Sequence, residues 1–98
     1  MPYIFVRQKI QDYTKWKAGF DGDTQTRQAG GAVGAQVFRD AEDPNVVSIL
    51  VEMKDMASIQ TMMQRLQTPE MQKLMAEAGV MGPPEALFIF GEVAETPG

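Results

Sequence analysis

Val46–Met53 (Val-Val-Ser-Ile-Leu-Val-Glu-Met) constrains the fold more than any other stretch of the chain. Alternate residues of a strand point to opposite faces of a sheet. The run therefore has two rows. Val47, Ile49, Val51 and Met53 make a wholly apolar row, whereas Val46, Ser48, Leu50 and Glu52 make a mixed one. A strand with one face in water would set apolar against polar residues. This one reads as buried on both faces, with something slightly polar on one of them. The expectation is that the mixed row lines a cavity shared by two subunits.

The rest of the chain can be arranged around that strand. Residues 3–10 alternate as a first strand, with Ile4, Val6 and Ile10 on one face and Gln8 as the exception. Tyr3, Phe5, Arg7 and Lys9 share its other face. Asp12 reads as an N-cap, since its carboxylate can accept from the free N–H groups of a helix start. Tyr13, Trp16, Phe20 and Thr24 then recur at helical spacing, and the helix should run to about Gln28, stopped by Gly30-Gly31. Ala32–Asp40 is a second strand, with Val33, Ala35 and Val37 against Gln36 and Phe38. Asp40–Asn45 is a turn leading into Val46–Met53, so these two strands form a hairpin. Asp55 caps a second helix with Met56, Ile59, Met63 and Leu66 on its apolar stripe. Thr68-Pro69 interrupts it, because the residue before a proline avoids helical geometry and Pro69 suits a first helical position. Met71, Leu74, Met75 and Ala78 should face inward, with Gly79 closing the segment. Glu85–Val93 is the last strand, with Leu87, Ile89 and Val93 opposite Ala86, Phe88, Phe90 and Glu92. Ala94–Gly98 reads as a loose tail of the single domain 1–98.

This order, β-α-β-β-α-β, is the α+β ferredoxin-like arrangement: a four-stranded antiparallel sheet with two helices on one face. The all-apolar rows should meet the helices. The opposite rows still carry Tyr3, Phe5, Phe38, Leu50, Phe88 and Phe90. A monomer would expose them as one patch, larger than the roughly 300–600 Å² usual for the largest patch on a monomer. Burial against a second copy removes that patch, and two-fold homodimers are the commonest solution. The expected assembly is a homodimer with sheets face to face and a cavity between them.

Several function classes drop out. The 98 residues contain no cysteine and no histidine, which removes thiol chemistry, Ser-His triads and histidine-held haem. Net charge is −4, with basic residues scattered singly, so there is no nucleic-acid footprint. No apolar run approaches the length needed to cross a membrane, and the N-terminus is too short and mixed for a signal peptide, so the expected location is the cytoplasm. No metal site or cofactor is expected. Asp40, Glu42 and Asp43 lack the glycine and terminal glutamate of a calcium loop and read as a solvated turn.

Asp12-Tyr13-x-x-Trp16 through Phe20-Asp21, Arg39-Asp40-x-x-Asp43-Pro44-Asn45, Pro69-Glu70 and Met75-x-x-Ala78-Gly79-Val80-x-Gly82-Pro83-Pro84 together resemble small dimeric α/β-barrel proteins. These are similar to the antibiotic biosynthesis monooxygenase group and its cyclase-labelled relatives, and the resemblance covers nearly the whole chain. It implies a ferredoxin-like homodimer with a cleft between sheet and helices or inside the barrel. It also implies oxidation of polycyclic aromatic substrates without metal or flavin, leaning on strand-borne Asn, Trp, Tyr and Arg. In this chain the one Asn is Asn45, in a turn, and the one Trp is Trp16, on a helix.

Candidate site residues follow from the mixed face. Arg7 and Glu52 are the catalytic candidates, read as neighbours. Arg7, with Lys9 beside it, would bind a carboxylate or stabilise an enolate, and Glu52 would act as base or orienter. The alternative is a structural ion pair inside an interface. Tyr3, Phe5, Phe38, Phe88 and Phe90, with Ser48 and Leu50, would bind a planar ligand or simply fill the interface. Trp16 is core or the roof of a cleft. Met56, Met63, Met71 and Met75 make either a deformable wall or an ordinary core. The leading function is a small-molecule-binding dimer, extending to a cofactor-independent monooxygenase- or cyclase-like enzyme on an aromatic or polyketide-like acid. The alternative is a non-catalytic ligand-carrier or interaction module whose sheet face is plain dimer core.

Overall fold

Residues 1–98, all described by a computed structural model, form β1 (Tyr3–Lys9), α1 (Tyr13–Gly22), α2 (Thr24–Ala29), β2 (Ala32–Arg39), β3 (Val46–Met53), α3 (Met56–Leu66), α4 (Pro69–Glu77) and β4 (Ala86–Phe90). The strands make one antiparallel sheet in the order β2-β3-β1-β4, with the first and third strands central. This is the ferredoxin-like arrangement, each helical leg being split in two.

Short polar side chains start three of the four helices by capping N–H groups that the first turn leaves free. Asp12 accepts from the Thr14 N–H at 3.0 Å and Asp55 from the Ser58 N–H at 2.7 Å. Thr68 Oγ1 accepts from the Met71 N–H at 3.3 Å, with Pro69 at the first helical position. The first leg does not run unbroken to Gln28. It turns a corner at Asp23, whose carboxylate is held by Arg65 of α3 at 2.9 and 3.0 Å. That contact joins residues 42 apart, so local helical spacing does not contain it.

The core lies between the sheet and the helices. Ile4 from β1 and Val47, Ile49, Val51 and Met53 from β3 meet Trp16, Ile59 and Met62, with Ile10 just beyond β1. Gln8 breaks the apolar pattern of β1 yet is 5% exposed. Its Nε2 donates to the carbonyls of Met81 and Gly82 at 3.4 and 3.3 Å, which makes burial of the amide tolerable. Gly31, at φ 105°, passes where any Cβ would strike Ser58, so the link from α2 to β2 requires glycine there.

Four expectations about packing are corrected. Val33 is not a core residue: a bulge between Ala32 and Gly34 gives Ala32 the place opposite Met53 and leaves Val33 51% exposed. β4 ends at Phe90, so Val93 belongs to the exposed tail. On α3 the buried residues are Ser58, Ile59 and Met62, while Met56 is exposed and Met63 only partly covered. On α4 no residue is fully buried, and Leu74 is exposed. The methionines therefore do not form one continuous wall.

Candidate functional site

The face of the sheet away from the helices is a grid fixed by strand register. One cross-strand row reads Phe90, Tyr3, Glu52, Gly34; the next reads Phe88, Phe5, Leu50, Gln36; the third reads Ala86, Arg7, Ser48, Phe38. Lys9 lies at the exposed rim of this face, opposite Val46. Every residue singled out on the mixed and aromatic rows thus sits on one open face. Trp16 does not: it is 5% exposed, on the helix side, stacked on Phe20 with ring centroids 5.1 Å apart.

The open face has an aromatic half and a hollow half. Phe5, Phe88 and Phe90 cluster with centroids 6.1 to 6.4 Å apart, and Phe88 and Phe90 remain about half exposed. In the Phe90–Tyr3–Glu52–Gly34 row the side chains shorten toward β2, and Gly34 contributes none. A depression of about 260 Å³ opens there, lined by Tyr3, Leu50, Glu52, Gln36 and the Gly34-Ala35 backbone. The Tyr3 hydroxyl donates to Glu52 at 3.4 Å. Desolvation, followed by the nearby Glu52 carboxylate, pushes the Tyr3 phenol above its ordinary value.

Arg7 and Glu52 are not neighbours. Arg7 pairs across the strands with Ser48, and Glu52 pairs with Tyr3, four residues away along β1. At about 3.4 Å per residue this separates them by roughly 14 Å. Arg7 instead lies 3.3 Å from Asp40 and 3.1 Å from Glu85, tying β1 to the β2–β3 turn and to the start of β4. Desolvation opposes the Arg7 charge, but the hydrogen bonds it donates to Asp40 and Glu85 outweigh it and hold its pKa above the usual value. Asp40 itself accepts from the Asp43 and Glu42 N–H groups, and these bonds, with Arg7, keep its carboxyl below the ordinary range. Val46 is already 5% exposed within one chain, so no second subunit is needed to explain that residue.

A second hollow, of about 350 Å³, lies on the helix side between the first helical leg and β2. Its walls include Tyr13, Lys17 and Phe20 of α1, Thr24 and Arg27 of α2, and Val33, Ala35 and Val37 of β2. Arg27 is the residue that sequence patterns missed. It looks like any polar residue of a helix, yet it is 9% exposed. Its guanidinium stacks 3.7 Å from the centroid of Phe20, donates to the Phe20 carbonyl at 2.7 Å and to Thr24 Oγ1 at 3.1 Å. Burial pushes its pKa down, against the pull of Asp23. The one available signal was the seven-residue spacing from Phe20, which would return to the same face of an unbroken helix. Arg39 stacks likewise on Tyr13, at 4.1 Å. The two hollows lie on opposite faces of β2 and share Gly34 and Ala35. No group of three or more carboxylate side chains in the chain is placed to hold a metal ion, and no helix is long and apolar enough to cross a membrane.

No family model matches the chain, and no curated protein does. Solved structures do. A candidate antibiotic biosynthesis monooxygenase from Bordetella bronchiseptica superposes with a TM-score of 0.73 at 15% identity, over 95% of this chain and 97% of that one. A similarly named protein from Caulobacter crescentus gives 0.70 at 15% identity, over 95% and 90%. A conserved protein from Methanosarcina mazei gives 0.66 at 13% identity, over 91% and 89%. At such identities the likeness establishes the fold.

Proposed function

We propose that the chain is a small-molecule-binding protein of the dimeric α/β-barrel kind, in which a second copy covers the open sheet face and closes the Tyr3–Glu52 hollow into a ligand cavity. The observation that carries this reading is the grid itself. Phenylalanines fill one half of a face that the helices do not reach, and a hollow with a hydroxyl–carboxylate pair occupies the other. Aromatic side chains are enriched at subunit contacts, and small-molecule sites combine apolar walls with a few convergent polar groups. The Bordetella and Caulobacter structures are named as antibiotic biosynthesis monooxygenases, which is in keeping with a cavity for an organic small molecule.

In such a cavity Glu52 is the proton acceptor and Tyr3 the hydrogen-bond donor. A phenolic or enolic substrate would lose its proton to Glu52, while the Tyr3 hydroxyl turns toward the oxyanion that develops. Arg7 has no part in this chemistry, because Asp40 and Glu85 already engage it. That engagement favours the second reading, a non-catalytic carrier or interaction module, for the Arg7 end of the face.

Sizing by light scattering at micromolar concentration, followed by mass spectrometry of whatever organic molecules co-purify, tests the proposal. The expected result is twice the 10.8 kDa chain mass, with an aromatic acid released on denaturation. A clean 10.8 kDa monomer sinks the dimer and the cavity together. A dimer that binds no aromatic acid, either as purified or after incubation with a panel of them, leaves the carrier-free interaction module.

A further inference from the structure

Gly34 is the only glycine inside a strand of this sheet. A glycine there weakens the strand, because its backbone loses more freedom on folding and it has no side chain to pack. Several other glycines have an evident reason. Gly31, Gly79 and Gly82 hold positive φ, and a Cβ on Gly30 would come within 3.4 Å of the Arg27 carbonyl. Gly34 has neither reason. Its φ lies outside the left-handed region, so the neighbouring bulge does not require glycine. A Cβ at this position would meet nothing within 4 Å. Nothing inside one chain forbids a larger residue.

Strand register fixes where that residue would point. Gly34 stands opposite Glu52 and Ala35 opposite Val51, so position 34 faces the open side of the sheet. A side chain there would enter the 260 Å³ depression beside the Tyr3–Glu52 pair. Glycine in a strand marks a close approach by a ligand or by another backbone. A second copy's backbone is the poorer fit. Seated on Gly34, it would shut Glu52 away from water with the Tyr3 hydroxyl, at 3.4 Å, as its one side-chain donor. A buried carboxylate left so sparsely bonded is costly. A ligand that carries its own hydroxyl adds a second donor.

We infer that Gly34 sets which ligands the open-face hollow admits: its bare backbone lets a planar hydroxylated ring lie against β2 with the hydroxyl on Glu52. This rests on the ligand-cavity reading above. Leu50 and Gln36, from the next cross-strand row, bound the ring on the side away from Glu52. A branched side chain at position 34 would take the space of a second ring and leave room for one. Gly34 is therefore a specificity-determining residue, in contact with the ligand but with no part in the proton transfer.

Titration calorimetry with phenol and with 2-naphthol, one ring against two, tests this on the full native chain, Gly34→Ala and Gly34→Val. The native chain should bind both probes. Gly34→Val should weaken 2-naphthol by about tenfold or more and phenol by about twofold or less, with Gly34→Ala in between. Both variants should melt no lower than the native chain, since the added group restricts the unfolded backbone and strikes nothing in the folded one. Both should also keep its size in solution. Equal weakening of the two probes, or none of either, overturns the filter while the cavity stands. A native chain that binds neither probe takes down the cavity reading and the filter together. Variants that lose the dimer would assign Gly34 to close approach by a second copy, and variants that melt well below the native chain would give it a structural role. Either result overturns the specificity role.

Discussion

Neighbouring residues on β3 meet opposite surroundings. Val47 and Met53 have no exposed surface, and Ile49 and Val51 have 9% each. Ser48, Leu50 and Glu52, interleaved with them, are only half-buried. One strand therefore has a finished face and an unfinished one. The difference shows that the helices complete just one side of this sheet, and incompletely even there, since the β2 end of that side is the 350 Å³ hollow. The finished face should govern whether the chain folds. The unfinished one should govern what it binds.

The largest expected effect comes from the finished face. Ile59 has no exposed surface and packs under the sheet, so Ile59→Ala removes buried carbons and leaves a cavity. The expected cost is about 2–5 kcal/mol of chain stability, read from the urea midpoint at a concentration where only monomer is present. Loss of pairing with no change in that midpoint would mean the two faces have been assigned to the wrong roles.

Leu50→Asp asks the converse question. Leu50 lies mid-grid between Phe5 and Gln36, and a carboxylate there would be buried without a partner by a second copy. Dimer dissociation should rise at least a hundredfold, about 2.7 kcal/mol, in sedimentation equilibrium. The monomer's urea midpoint should hardly move, because the position is half-open in a single chain. A variant that still pairs as tightly would show that the open face is not the interface.

The same contrast explains what the sequence disclosed. Alternation along β3, β1 and β4 placed the open-face residues correctly, because it depends only on local backbone geometry. The caps Asp12 and Asp55 were equally legible, each bonding within three residues, whereas Thr68 was legible only as the break before Pro69 and its cap on Met71 comes from the structure. What failed depended on distance or on one extra residue. The bulge at Val33 displaced a residue that alternation had placed in the core. The first helix turns at Asp23, which is held by Arg65, 42 residues on. Arg7 and Glu52 do share a face as expected, but sharing a face says nothing about register, and register placed them at opposite ends. Arg27 was hidden because a buried guanidinium and a solvated one look alike in a sequence.

The finest test concerns the polar corner of the open face. Tyr3 and Tyr13 are the only tyrosines, so Tyr13→Phe leaves Tyr3 as the single phenolate reporter in an absorbance titration. The Tyr3 phenol should ionise above the ordinary value of about 10. Desolvation is the largest cause and Glu52 the next, so Glu52→Gln should bring the midpoint part of the way back and no further. A full return would mean that the carboxylate alone sets the shift and the corner is wet. The sign for stability follows. A phenol whose folded-state value is raised contributes stability that is intact below the unfolded value and is lost as pH rises through the folded one. If a second copy covers this corner, desolvation deepens and the dimer should loosen in mild alkali before the chain unfolds. In the Tyr13→Phe chain the aromatic residues that remain on the helix side, Trp16 and Phe20 among them, carry no phenol, so that face has no counterpart to the transition. An alkaline dissociation that survives Tyr3→Phe would place the titrating group elsewhere and remove Tyr3 from the interface.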